Sequence, residues 1–269
     1  MIKFNNNNTI TTEPIAHPKK ITGTRLAQIL GINSSSTTPF QVWCDMMKVY
    51  KLPFEETKYT KAGKIIEPIL AEYLRDKYNL GKDLVSPTDK YGKDYFSTTY
   101  GDFFPEKEIF GGMWDYLYMK NDKVVSQIEI KTAGAKKRKT EWTNASGKKS
   151  VPAKYMLQTG EYATLLNCDS VTIVTGFLTE KDYDNPYDFK PSDENVVIYH
   201  YRMSKTVKNF DSEYLEPARY WWHQHILSGV SPQYNPYIEA DMKIVKELKE
   251  QQVFNEQLTL EATKGVIYW

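Results

Sequence analysis

Apolar residues first fall into a helical period at Leu26, Ile29 and Leu30. The run Gly31 to Thr38 interrupts it, and Pro39 opens a second apolar helix through Phe40, Trp43, Met46 and Met47. Ile65, Ile66, Ile69, Leu70, Tyr73 and Leu74 predict a third helix ending near Asn79 and Gly81, with Pro68 expected to kink it or to mark its first turn. Between Tyr91 and Thr132 the pattern changes to short aromatic and β-branched runs broken by Gly111-Gly112 and the polar stretch Lys120 to Lys123, which predicts a β-meander ending in a hairpin. Tyr155 to Leu166 then reads as helix, and Ser170 to Phe177 and Asn195 to Met203 as strands around a loop at Asp182 to Glu194. Helix returns at Tyr214 to Leu227 and Tyr237 to Phe254, and the tail 258–269 is a candidate added strand. No period of repeat length is visible. Helices, strands, helix, strands, helices describe an α/β or α+β fold, with an irregular segment 1–20 before one domain over 21–257.

Composition narrows the classes. With 269 residues, 41% hydrophobic and 14% aromatic, the chain can bury one large core or two modest ones. Its 35 Lys and Arg against 34 Asp and Glu leave a net charge of +1, which excludes a uniformly basic nucleic-acid coat. A polyanion would have to be met by basic residues segregated in space. Cys44 and Cys168 are too few for a disulfide framework or a four-thiolate metal site, so a reduced compartment is expected. Met1 to Lys20 has no signal-peptide pattern and no segment approaches membrane-spanning length, so the expectation is a cytoplasmic protein without membrane association.

The candidate chemistry lies at Asp115 and Glu129. In the strand Val124 to Lys131, Ile128 and Ile130 point to one face and Glu129 and Lys131 to the other. Asp115 stands on the preceding strand, shortly after the glycine pair, and Glu67 is a third carboxylate on the apolar helix. Magnesium takes oxygen ligands, commonly one or two carboxylates completed by phosphate and water, so Asp115 and Glu129 are candidate ligands. A metal there would polarise a phosphoryl oxygen, with Lys131 holding water or offsetting transition-state charge. Glu-x-Lys is a common pattern, present also at Glu56-Thr57-Lys58 and Glu247-Leu248-Lys249. Alone it reads as a surface pair worth under about 1 kcal/mol. There is a further geometric demand. A two-residue turn at Asn121-Asp122 sets Asp115 opposite Ile128 on the wrong face, so the proposal needs an odd loop or a bulge.

With those residues in place, Asp115 followed by Glu129-Ile130-Lys131 on a hairpin resembles the core of the PD-(D/E)XK nucleases, with Trp114 where the motif has proline. Gly63-Lys64-Ile65-Ile66-Glu67-Pro68 resembles the glutamate-bearing helix of the YqaJ-type viral recombinase and lambda-exonuclease-like branch. Gln158-Thr159-Gly160-Glu161-Tyr162 resembles the Q-x-x-x-Y motif of the RecB-type and phage exonucleases, and Gln158 and Tyr162 share one helix face. The same spacing at Gln233 and Tyr237 falls in a proline-broken loop and reads as accidental. His223 and His225, two apart on a helix, do not converge on a metal.

The resemblance, which runs from about Ile21 to Met203, implies a restriction-endonuclease-like core with a central mixed sheet flanked by helices. It implies metal binding by Asp115, Glu129 and the Ile130 carbonyl, with Mg2+ as cofactor and Mn2+ as substitute. Lys131 would assist the water, and Glu67, Gln158 and Tyr162 would support the site. It also implies a 5′-phosphate pocket, matched here by Arg25 and by Ser34, Ser35 and Ser36. From the residues themselves, Lys136, Lys137, Arg138 and Lys139 with Trp142 form the most basic stretch: 132–150 holds six Lys and Arg against Glu141 alone. Such a stretch neutralises phosphates, and its aromatic can stack on an exposed base. The implied activity is 5′-to-3′ digestion of linear double-stranded DNA ends for a single-strand annealing recombinase, by a homo-oligomer. A restriction- or repair-type endonuclease and a non-catalytic DNA-binding or assembly protein remain the alternatives.

Overall fold

A computed structural model describes residues 2–32, 37–53, 55–207 and 209–263. In chain order, β1 (Lys3–Phe4) and β2 (Ile10–Thr11) precede helices α1 (Gly23–Ile29), α2 (Pro39–Met46) and α3 (Lys58–Lys77). Strand β3 (Leu84–Val85) and the short helices α4 (Pro87–Tyr91) and α5 (Tyr95–Thr98) lead to β4 (Tyr116–Lys120) and β5 (Lys123–Gly134). There follow α6 (Lys137–Thr140), α7 (Ala153–Leu165), β6 (Ser170–Leu178), α8 (Glu180–Asp184), β7 (Val196–Arg202) and α9 (Met203–Thr206). Helices α10 (Glu216–Trp221) and α11 (Glu239–Thr263) come last.

The chain forms two units. One comprises Lys20–Ala27 and Phe54–Pro217 and is built on a five-stranded sheet in the order β3-β4-β5-β6-β7. Only the central β5–β6 pair is parallel, so the sheet is mixed as expected. Helix α3 covers one face. Thr57 caps it reciprocally with Thr60, and its stripe Ala62, Ile66, Leu70 and Leu74 packs on Ile128, Ile130, Val174 and Leu178. Each such buried aliphatic contributes roughly 1.5–3 kcal/mol. Pro68 lies in the interior of the helix rather than in its first turn, on the exposed side, where water can serve the carbonyl it leaves without a donor. Helix α7 covers the other face, its Tyr162 within a cluster of Phe103, Phe104, Trp114 and Leu117. A second cluster on that face, Trp142, Ile173, Phe177, Val197 and Tyr199, is covered by Tyr155 and Met156.

The β-meander expected over Tyr91 to Thr132 is reduced to the β4–β5 hairpin. Tyr95–Thr98 is a helical turn, and Phe103 and Phe104 anchor an irregular segment. Aromatic residues that resemble strand positions in sequence here pin a loop, held also by Asp102, whose Oδ1 accepts from the amides of Phe104 and Gly112 at 3.1 and 3.0 Å.

The other unit draws on Met1–Lys19, Gln28–Pro53 and Ala218–Trp269. Fully buried Asp241 organises it, accepting from Thr38 Oγ1 at 2.8 Å, Gln41 Nε2 at 2.6 Å and the Asn235 amide at 2.9 Å. Trp43 Nε1 donates to the His225 carbonyl at 2.9 Å, and His225 Nδ1 lies 2.9 Å from the Val230 carbonyl, so this histidine is structural. The helix expected at Tyr214 to Leu227 carries wide π-type turns at Asp211–Leu215 and Trp222–Leu227. Helix α11 runs on to Thr263, so 258–263 is helical where a strand was expected; the rest of the tail lies outside the described residues. Both cysteines are free, and no helix among the described residues is long and apolar enough to cross a membrane.

The hairpin register meets the geometric demand. Asn121 and Asp122, with φ of 48° and 60°, form the tight two-residue turn between Lys120 and Lys123. The pairing Met119 with Val124 then jumps to Tyr118 with Ser126, leaving Val125 as an extra residue, and continues to Tyr116 with Ile128. One further step places Asp115 opposite Glu129. The two faces are not interchangeable: Ile128→Asp, which strands a carboxylate among the apolar contacts of α3, is expected to lower the melting temperature by roughly 10 °C or more, read by calorimetry.

Candidate active site

Strand β5 alternates as its sequence predicts: Ile128 and Ile130 enter the α3 core, while Gln127, Glu129 and Lys131 share the opposite face. Glu129 is fully buried. Its Oε1 accepts from Gln158 Nε2 at 2.6 Å and pairs with Lys131 Nζ, and its Oε2 accepts from Gln127 Nε2 at 2.9 Å. Asp115 lies just beyond the end of β4, and its Oδ2 accepts from the Ile130 amide at 2.8 Å. That bond ties the two strands together where their ladder stops.

Helix α7 touches both carboxylate-bearing strands. Gln158 reaches Glu129, and Tyr162, one turn on, brings its hydroxyl to the glycine pair before Asp115. Gly112, at φ +127°, makes room for it: a Cβ there would lie 2.6 Å from the Tyr162 oxygen. Gly23, at the start of α1, packs so closely on Gln158 that a Cβ would fall 2.4 Å from its Cγ. Arg25, two residues on, donates from Nη1 to the Lys20 carbonyl at 2.8 Å. Ser34, Ser35 and Ser36 lie outside the described residues.

The electrostatics are those of crowded carboxylates. Burial, reinforced by the charge of Asp115, pushes Glu129 up to about 7. Half-buried Glu67 is pushed up to about 8 by burial and then by Asp115. Burial also raises Asp115, against the pull of Lys131 and the Ile130 amide. Burial alone would lower Lys131, but the charges of Glu129 and Asp115 outweigh it and hold the ammonium protonated. An all-oxygen pair of opposed, buried carboxylates, both with raised proton affinity, suits a hard divalent cation. Asp115, Glu129 and the Ile130 carbonyl would hold it. Among the described residues no three or more His, Cys, Asp or Glu side chains form a ready metal cage, so Glu67 stands near the pair without completing one. Phosphate and water would fill the other positions.

The basic stretch is partly tied down. Lys136, Lys137 and Lys139 are exposed, but Lys137 pairs with Glu141 at 3.0 Å and Arg138 bonds the Glu194 carbonyl. Trp142 cannot stack on an exposed base: it is 1% exposed, part of the Phe177 and Tyr199 core. The ring on offer is Tyr155, stacked on Trp142 at 5.4 Å and 24° and approached by Lys131 and Lys154 at 5.4 and 4.9 Å from its centroid. It lines a cleft of about 710 Å³ with Tyr59, Gly134, Lys136 and Tyr183.

Three residues of this neighbourhood escape sequence reasoning. Tyr155 reads as one more helix-flank aromatic. Gln127 is buried at 0% exposure, and no motif marks it. Glu161 lies inside the quoted Gln158–Tyr162 segment, yet nothing in its spacing foretells that it is fully buried with neither oxygen hydrogen-bonded to any described residue. Burial drives its pKa well up, against the charge of Arg25.

Residues 15–169, more than half of the chain, match the YqaJ-like viral recombinase domain. The chain belongs to that family, within the lambda-exonuclease-like branch of the PD-(D/E)XK superfamily. It is similar to the uncharacterized protein MG373 of Mycoplasma genitalium, at 29% identity over 85% of this chain and 87% of the relative. Its similarity to the MG373 homolog of Mycoplasma pneumoniae is 26% identity over 80% and 83%. Its fold is that of a phage-related exonuclease from Haemophilus somnus 129PT, at a TM-score of 0.53 and 18% identity over 78% of this chain and 96% of that one.

The raised carboxylates predict a pH response. A group whose pKa is higher folded than unfolded stabilises the fold below the unfolded value, and that contribution is lost as pH rises through the folded value. The metal-free protein is therefore expected to lose stability between the ordinary glutamate value of 4.5 and about 8. Each raised unit is worth about 1.4 kcal/mol, so thermal melts from pH 5 to 8.5 are expected to fall by roughly 5 °C or more. Glu161→Gln is expected to flatten the slope.

Proposed function

We propose that this protein is a divalent-metal-dependent deoxyribonuclease that digests linear double-stranded DNA from its ends in the 5′-to-3′ direction. The observation that carries the reading is the bulged register that sets Asp115 opposite Glu129, with Lys131 on the same face. A cation held there, Mg2+ or Mn2+, would polarise the scissile phosphate and activate water. Lys131 contributes a fixed positive charge beside the reacting phosphate, since its carboxylate neighbours keep it protonated. Gln158 and Lys131 orient Glu129, and the Ile130 amide orients Asp115. Arg25 offers a guanidinium fork suited to a terminal phosphate, with the serine run as its partner in the resemblance. Exposed Lys136 and Lys139 supply sequence-blind phosphate contacts, and Tyr155 supplies a base-stacking ring. An annealing recombinase and further copies of this chain complete the reading as its partners.

Two measurements test it. Lys131→Ala and Asp115→Asn are each expected to lower turnover of end-labelled duplex DNA by about 100-fold or more, and chelator is expected to abolish it. Undiminished turnover in either variant defeats the mechanism. A covalently closed circle compared with the same DNA linearised is expected to resist digestion; efficient cleavage of the circle replaces the exonuclease with an endonuclease.

A further inference from the structure

Gln127 occupies the position two residues before Glu129 on β5, on the same face and fully buried. Across the sheet it pairs with Leu117 on one side and Val171 on the other, both fully buried and apolar. A leucine would suit this setting without a desolvation cost. Gln127 instead brings an amide whose Oε1 has no hydrogen-bond partner among the described residues, a costly choice at a fully buried position. Among the described residues its side-chain bond runs from Nε2 to Glu129 Oε2 at 2.9 Å.

That bond completes a division of labour around Glu129. Gln158 and Lys131 both engage Oε1. Without Gln127 the carboxylate would be held at one oxygen and free to turn about its terminal torsion, which for glutamate is broad and weakly restrained. With Gln127 both oxygens are held and the carboxylate plane is set. The donor is neutral, so it orients the carboxylate without adding a positive charge that would compete with a cation.

We propose that Gln127 is a positioning residue that fixes the Glu129 carboxylate for a divalent cation and thereby sets the metal affinity of the site. This rests on the nuclease reading above, in which Glu129 is a metal ligand. Partners that orient a metal ligand typically govern affinity by about 10- to 100-fold.

The test measures binding apart from turnover. Calorimetric titration with Mg2+ and Mn2+, and the metal-induced rise in melting temperature, are compared for the full-length parent, Gln127→Leu and Gln127→Met. The expected result is a metal dissociation constant weaker by about 10-fold or more in both variants. Half-maximal activity is expected to move to correspondingly higher Mg2+, with turnover at saturating Mg2+ changed far less. Equal metal affinity in a folded variant and the parent overturns the proposal and leaves the nuclease reading standing. A parent that neither binds nor is stabilised by either metal overturns both. Should the variants not fold, the parent decides alone: the Gln127 side-chain NH2 resonance is expected to exchange slowly and to shift on metal addition. A freely exchanging resonance that metal does not move overturns the inference.

Discussion

A β-strand presents its side chains with a period of two, so a single extra residue reverses every face beyond it. Val125 is that residue. Below it, toward the Asn121-Asp122 turn, the hairpin pairs as a tight turn dictates; above it, Tyr116 meets Ile128 and Asp115 comes opposite Glu129. The apolar face stays whole for α3, and the acidic face forms beneath α7. The meeting of Asp115 with Glu129, on which a shared cation would depend, hangs on that shift of register.

The price of the arrangement is electrostatic. Burial raises the proton affinity of all three carboxylates, the charge of Asp115 adds to it at Glu129 and Glu67, and Lys131 brings a single positive charge against them. The surroundings contribute mostly oriented dipoles: the amides of Gln127 and Gln158 and the backbone amide of Ile130. A site that restrains charge by dipoles is left with negative charge in excess, which is what draws a cation. The net charge of +1 conceals this division, with carboxylates drawn inward at the site and Lys136 and Lys139 exposed beyond the end of β5.

Much of the architecture was legible because periodicity survives folding. The stripe Ile66, Leu70 and Leu74 faces the sheet as its spacing requires, and the alternation of β5 divides its two faces as expected. The segment Tyr91 to Asp115 was misread because aromatic residues serve strands and loop anchors equally well. Phe103 and Phe104 are the latter, clustered with Trp114 and Tyr162. Trp142 was misread for a related reason: its basic neighbours belong to the surface, but its own ring completes the core with Phe177 and Tyr199. Gln127 and Glu161 carried no signal at all, since whether a polar side chain is buried, and beside what, is settled by elements distant in the chain.

By itself the sequence determined the main helices, the alternation of β5 and the identity of the residues able to carry metal chemistry, because these follow from local spacing and side-chain type; the mixed sheet was implied by the family resemblance. Only the tertiary structure decided that Asp115 and Glu129 share a face, that Gln158 and Gln127 grip opposite oxygens of one carboxylate, and that Tyr155 rather than Trp142 offers its ring. Local pattern dictates which way a side chain points along its own strand or helix. Whether two such side chains meet depends on a register and a packing distance that are set only when separate elements come together.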